Sequence, residues 1–197
     1  MGTLSRSDVD KPILECASAA KWAAWLRRHH ATSSGIWLRF AKKGADRRTI
    51  LHAEALDLAL CHGWIDATSQ SEDEHYWLQR FTPRAPRSLW SKINCAKALK
   101  LIEEGRMQPA GQAEIDRAKA DGRWDAAYDG ASTSVVPPDL QAALDAEPRA
   151  AAFFASLDSA NRYAVLFRTQ TAKTPGTRAK RIASFVEMLA RGEKLHP

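Results

Sequence analysis

The sequence predicts an α+β protein: a small antiparallel sheet with packed helices, followed by an all-helical C-terminal region. Three observations carry this. "GIWLRFAKKG" alternates, with Ile36, Leu38 and Phe40 on one face and Trp37 and Arg39 on the other, which is the period of a strand. "WIDAT" and "HYWLQRFT", joined by the acidic, polar "SQSEDE", read as a hairpin. From Ser91 onward the apolar spacing turns helical and stays so.

Taken in order, a polar arm leads to Ser18, an N-cap for a helix whose stripe is Trp22, Trp25, Leu26 and His29. "SSG" breaks that pattern before the first strand. A second helix is expected over about 53–62, with Gly63 as its C′ residue. After the hairpin, Cys95, Ala98, Leu99 and Ile102 form the expected stripe of a helix that Gly105 ends. Pro109 suits position N1 of the next helix, which stops near Gly122. "YDGASTSVVPPDL" collects Gly, Ser, Thr and Pro and reads as a linker. Three further helices are expected near 139–155, 159–171 and 177–191, the last burying Ile182, Phe185, Val186 and Leu189. The expected organisation is an α+β domain over 13–130 and a helical region over 138–197 packed on it. Some sixty residues make a marginal core alone, and Phe153, Phe154 and Phe167 exceed what so short a bundle needs.

The 197 residues carry a formal charge of +6, unevenly spread. Between Arg80 and Arg106, seven Lys/Arg face Glu103 and Glu104; between Arg168 and Lys194, seven face Glu187 and Glu193. Two basic blocks on a slightly acidic body could attract phosphate ligands, acidic protein surfaces or nucleic acid. Nucleic acid is the least favoured, because most of the seven tryptophans sit at core-like spacings rather than interleaved with Lys/Arg. The polar start lacks a hydrophobic leader, Arg6 stands where a myristoylation motif beginning at Gly2 wants Ser or Thr, and no apolar run reaches membrane-span length. Three scattered cysteines, Cys16, Cys61 and Cys95, suit a reducing compartment. A cytoplasmic location without membrane insertion is expected.

Motifs of known chemistry are absent. The six histidines make no HxxxH pair and the cysteines no CxxC, so no metal is expected. GxSxG, GxGxxG and GxxxxGK[ST] do not occur, so no cofactor is expected and no catalytic residue can be named. The most informative stretch is "RFTPRAPRSLWSKIN", with "CHGWID" before it. Trp64 and Asp66 fall on one strand face, and a half-buried Asp66 wants Arg80, Arg84 or a backbone N–H near Ser88 as partner. Pro83 and Pro86 stiffen the loop, and Ser88 or Ser91 can cap the following helix. Arg84, Arg87 and the N–H groups after Ser88 could then hold an anion, with Trp90 as a floor and Asn94 as a donor. The alternative, which the sequence favours, is a capped helix whose entry loop is tied to Asp66. Arg178, Lys180 and Arg181 form a second expected basic surface.

"ALCHGWIDATSQ", "RFTPRAPRSLWSKIN", "LIEEGRMQPAG", "AKADGRWDAAYDG" and "TAKTPGTRAKRIASFVEMLARG" occur in this order. Together they resemble the bacterial YdeI/OmpD-associated family, also called bacteriocin-protection proteins, from about residue 13 to the C-terminus. The chain departs from that pattern at His62, where family members have an aromatic, and in the more polar "LFRTQTAK". The resemblance implies a link to resistance against cationic antimicrobial peptides, association with an outer-membrane porin, and no established reaction. A surface of this charge repels cationic peptides, so direct sequestration is disfavoured. The expected function is an accessory or binding protein with a protein partner or a small anionic ligand. The alternatives are an enzyme with an anion pocket near Asp66 and Arg84, or nucleic-acid binding through basic helices.

Overall fold

The computed structural model describes residues 12–196; the polar start with Gly2 and Arg6 lies outside them. The chain divides into two compact units, residues 1–89 with 94–125, and residues 90–93 with 126–197.

The first unit holds a four-stranded sheet of order β1-β2-β4-β3, where β1 is Ile13–Glu15, β2 Ile36–Ala41, β3 Trp64–Ser71 and β4 Tyr76–Pro83. The α+β class is as expected, but the sheet is mixed. β1 adds to β2 in parallel, Ile13 opposite Trp37, through helix α1 (Ala19–His29) as the crossover a parallel pair requires. Three residues are too few to show a period, so the arm before Ser18 concealed this strand. Ser18 caps α1 as expected, its side chain accepting from the Lys21 N–H. Helix α2 (His52–Cys61) follows β2, and Trp22 Nε1 donates to the Ala55 carbonyl at 3.1 Å, joining α1 to α2. Trp22, Leu26, Leu38, Trp64 and Phe81 are fully buried. Burying an aliphatic or phenyl side chain of this size contributes about 1.5–3 kcal/mol.

β3 and β4 form the expected hairpin, in which Asp66 lies opposite Phe81. The register slips between Asp66 and Ser69, a bulge that leaves the Ala67 and Thr68 carbonyls off the ladder. Buried Gln79 supplies both from its amide, at 3.1 and 3.3 Å.

Helix α3 spans Lys92–Glu103 and α4 Pro109–Ala120. α3 buries Cys95, Ala98 and Leu101, whereas Leu99 and Ile102 are exposed, so the expected stripe is rotated toward Leu101. At the contact of α4 with α2, a Cβ on Gly111 would come within 2.3 Å of the Cys61 carbonyl and 2.6 Å of the Leu60 carbonyl. Gly63 ends α2 at φ +74°, with the Ala110 carbonyl 2.9 Å from where its Cβ would sit.

The second unit is helical: α5 (Pro138–Asp145), α6 (Pro148–Ser156), α7 (Ser159–Gln170) and α8 (Pro175–Ala190). The helix expected near 139–155 is in fact two. Pro148 sits at the start of α6 and Glu147 before it leaves the helical region, at φ −130° and ψ 88°. Leu140, Leu144, Phe154, Val165, Ile182 and Leu189 belong to its core. Phe153 packs on that core and Phe167 on Tyr128 and Tyr163. All three phenylalanines are therefore used within this unit.

Candidate functional site

The arginine-rich loop is fastened by its own side chains. Arg84 is 5% exposed, its N–H bonds to the Gly63 carbonyl at 2.9 Å, and its Nη1 donates to the Leu89 carbonyl at 3.1 Å. Arg123, from beyond α4, donates Nη1 to the Ser88 carbonyl at 2.8 Å and Nε to Asp121. Ser88 closes a turn onto Ala85, its Oγ accepting the Ala85 N–H at 2.9 Å. Ser88 is thus committed to this turn, and α3 starts four residues later, at Lys92. Arg87 is exposed.

Buried Trp90 and Ser91 belong to the second unit, Asn94 to the first. Ser91 bridges Tyr128, the Trp90 carbonyl accepts the Tyr128 N–H at 3.0 Å, and the Lys92 N–H meets the Tyr128 carbonyl at 2.9 Å. A donor of the expected anion cradle is therefore occupied by the chain itself.

Asp66 is placed differently from expectation. Its cross-strand neighbour is Phe81, so it shares that side chain's face of the sheet; Arg80, one residue away, lies opposite Trp37 and takes the other face. Asp66 Oδ2 sits 3.2 Å from Nε2 of His52, the first residue of α2, with both side chains about one-third exposed. The approach is close in distance without hydrogen-bond alignment. Asp66→Ala strands no buried arginine and is expected to cost about 1 kcal/mol, the level of a partly solvated pair.

His52 also meets a group of rings: Phe40 at 5.6 Å, Trp77 at 5.7 Å and Phe81 at 6.2 Å, while Phe40 and Trp77 stack at 4.8 Å. Phe40, Trp77, His52, Thr49, Leu51 and Arg48 line an open cleft of about 370 Å³. Leu51 is 67% exposed at its edge, and Arg48 makes no hydrogen bond or ion pair among the described residues. Apolar walls with a few convergent polar groups are what a small-molecule site offers. In the sequence His52 is one of six histidines without metal-ligand spacing, and Phe40 and Trp77 read as strand residues. The thirteen residues between His52 and Asp66 give no periodic signal of their contact.

The expected basic surface at the C-terminus is largely committed to structure. Arg178 forms a two-point pair with Asp139, at 2.6 and 2.8 Å, and donates Nη1 to the Thr169 carbonyl at 2.9 Å. Arg181 Nη1 donates to the Arg168 carbonyl at 2.5 Å. Both guanidinium groups thus close the C-terminal end of α7, where a helix favours positive charge. Lys180 is exposed.

The cysteines are poor nucleophiles. Burial pushes the Cys16 thiol up to about 11 and raises Cys61 and Cys95 as well. Among the described residues no group of three His, Cys, Asp or Glu side chains is placed to hold a metal ion, and no helix is long and apolar enough to cross a membrane.

No curated protein and no solved structure matches the chain. Two family models do. Residues 133–192 match the model described as bacteriocin-protection, YdeI or OmpD-associated, which is the family the motifs resemble. Residues 14–114, which carry "GWID", the arginine-rich loop and the aromatic cleft, match a domain of unknown function, DUF8412. The chain therefore belongs to the DUF8412 family, and its residues 133–192 are similar to the YdeI/OmpD-associated family.

Proposed function

We propose that this chain is an accessory binding protein that takes a small ligand in the cleft between Phe40, Trp77, His52 and Arg48, and that serves protection against cationic antimicrobial peptides from the cytoplasm. One observation carries the reading. Half-buried Trp77, stacked on buried Phe40, stands beside an imidazole 3.2 Å from Asp66, in a cleft that Arg48 borders without an ion-pair partner among the described residues. The ligand this suits has a flat apolar body and an anionic edge. A protein partner, the porin-associated role of the YdeI/OmpD family among them, belongs to the same proposal. Direct capture of peptides stays disfavoured by the net charge of +6.

The test is a ¹⁵N-detected titration of the tryptophan indoles with benzoate and with benzamide, in wild type, Trp77→Ala and Arg48→Ala. Saturable shifts at Trp77, stronger for benzoate and weakened in Arg48→Ala, are expected. Shifts confined to other tryptophans would remove the cleft from consideration. In a strain lacking the gene, wild type should restore survival under a cationic peptide and Trp77→Ala should not.

A second reading, proton transfer by His52 with the Asp66 carboxylate beside its ring, is favoured by their 3.2 Å approach. Asp66→Asn would then abolish protection while leaving the benzoate shifts intact.

A further inference from the structure

Two adjoining depressions of about 230 and 360 Å³ in the first unit share Arg27, His62 and Gln108. Cys61 and Arg106 line the first, His30 the second. Neither includes a residue of the aromatic cleft.

The two imidazoles are set in one tautomer. His62 Nδ1 lies 3.0 Å from the Leu58 carbonyl, and His30 Nδ1 lies 2.9 Å from the Leu26 carbonyl. A carbonyl oxygen only accepts, so Nδ1 carries the proton in both rings and the neutral ring keeps its lone pair on Nε2. The ring centroids are 5.4 Å apart, and the Trp64 indole N–H donates to the His30 carbonyl at 3.0 Å.

Charged groups come from every neighbouring element. α1 supplies Arg27 and His30, and α2 supplies Cys61 and Asp57, the latter paired with Lys97 of α3 at 2.7 Å. The turn between α3 and α4 supplies Arg106, bound to Glu104 at 2.9 Å. Glu114 of α4, paired with Arg117, lies against Gly63. The carboxylates are thus paired off. Arg27 makes no hydrogen bond or ion pair among the described residues.

We propose that this double depression binds a small phosphate-class oxyanion, either inorganic phosphate or a phosphomonoester. Arg27, with Arg106 beside it, supplies the charge and the forked donors that suit a phosphate. The histidines select among anions. A neutral imidazole offers only the Nε2 lone pair, which a singly protonated phosphate can meet with its P–OH. A deprotonated carboxylate has no proton to give. At lower pH the same Nε2 gains a proton and becomes a donor, so binding strengthens as pH falls through the histidine titration. Burial, with His30 and Arg27 adding to it, holds the His62 pKa below 6.5, and a bound anion raises it.

The experiment follows the histidine Cε1–H signals of the full chain by NMR at constant ionic strength. Inorganic phosphate, glycerol phosphate and acetate are added in separate arms. Saturable shifts of His30 and His62 with phosphate, absent with acetate, are expected, together with a rise in the His62 titration midpoint. Arg27→Ala should weaken binding about tenfold, the loss of one charge-assisted contact, with Arg27→Lys between the two. Arg27 is exposed on α1, and an unchanged circular dichroism spectrum checks the fold. Tighter binding of glycerol phosphate would identify a phosphomonoester, and the reverse inorganic phosphate. Unmoved histidine signals, equal affinity in Arg27→Ala, or acetate as effective as phosphate would each overturn the proposal. The benzoate titration at Trp77 can fail without touching this result.

Discussion

In the second unit arginine closes helix ends; in the first it closes loops or is left beside a cleft. Arg178 and Arg181 reach back from α8 to the last carbonyls of α7, and Asp139 neutralises one of them. Arg84 and Arg123 hold the Leu89 and Ser88 carbonyls, whereas Arg27 and Arg48 border open depressions. A guanidinium is a rigid fork of five donors before it is a surface charge. Counting Lys and Arg along the sequence finds the same density in both blocks and cannot separate these uses. Carbonyls left over at helix ends and tight turns decide which arginines are spent.

The comparison can be broken first at the packing that holds the first unit together. Gly111→Ala should cost about 3 kcal/mol, since its Cβ would strike two backbone carbonyls of α2 that cannot give way separately. Urea denaturation read by circular dichroism measures it. The same scan tests whether residues 138–197 fold with the rest, as we propose. α3 begins in the second unit and continues in the first, so one transition is expected. Two separated transitions, with only one moved by the substitution, would count against this.

Next in size is Arg84→Ala, expected to cost about 2 kcal/mol through the lost donor to the Leu89 carbonyl and the emptied space around a buried side chain. Its counterpart in the other unit, Arg178→Ala, should cost about 1 kcal/mol, because Asp139 is largely solvated and the pair is screened. If Arg178→Ala proved the costlier, the contrast drawn between loop clamp and helix-end clamp would be inverted.

The smallest effect is in pH dependence, and it differs between the units. His62 has a folded pKa below 6.5, depressed by burial, so the unfolded chain takes up its proton first and stability falls as pH drops from 6.5 toward the folded value. In the second unit the Arg178 hydrogen bonds hold Asp139 below 3.8. Its contribution is complete above 3.8 and is lost only as pH falls through the lower folded value. Between pH 7.5 and 5.5 in phosphate-free buffer, wild type should therefore lose stability. His62→Gln should lessen that loss, and Asp139→Asn should keep the wild-type slope.

Much of the fold was legible because local chemistry and tertiary outcome agree. Ser18 caps α1, Gly63 ends α2 with positive φ, Pro109 opens α4, and the two strands around the acidic turn pair as a hairpin. β1 was too short to have a period. The α3 stripe went wrong because Leu99 and Leu101 both fit a helical spacing and only the packed neighbours choose between them. Pro148 did mark the break between α5 and α6, but the apolar run on either side read as continuous. At the site, strand alternation correctly put Trp64 and Asp66 on one face. Applied to β4, the same rule places Arg80 opposite Trp37, away from Asp66, and this depends on a register that the sequence does not state.

The parallel bridge between Ser91 and Tyr128 has a consequence for the order of synthesis. On the ribosome, Trp90–Ile93 emerges before the residues that complete the first unit, yet its backbone partner emerges only afterwards. At about 5–20 residues per second the intervening stretch occupies roughly 2–7 s. During that interval Trp90 has no second unit to enter, and a tryptophan side chain waits on a nascent chain whose neighbouring segments are already able to fold. Fragments cut between residues 125 and 126 inherit the same difficulty permanently. A C-terminal piece beginning at 126 lacks the segment that Tyr128 bridges to, and an N-terminal piece ending at 125 carries it unpaired.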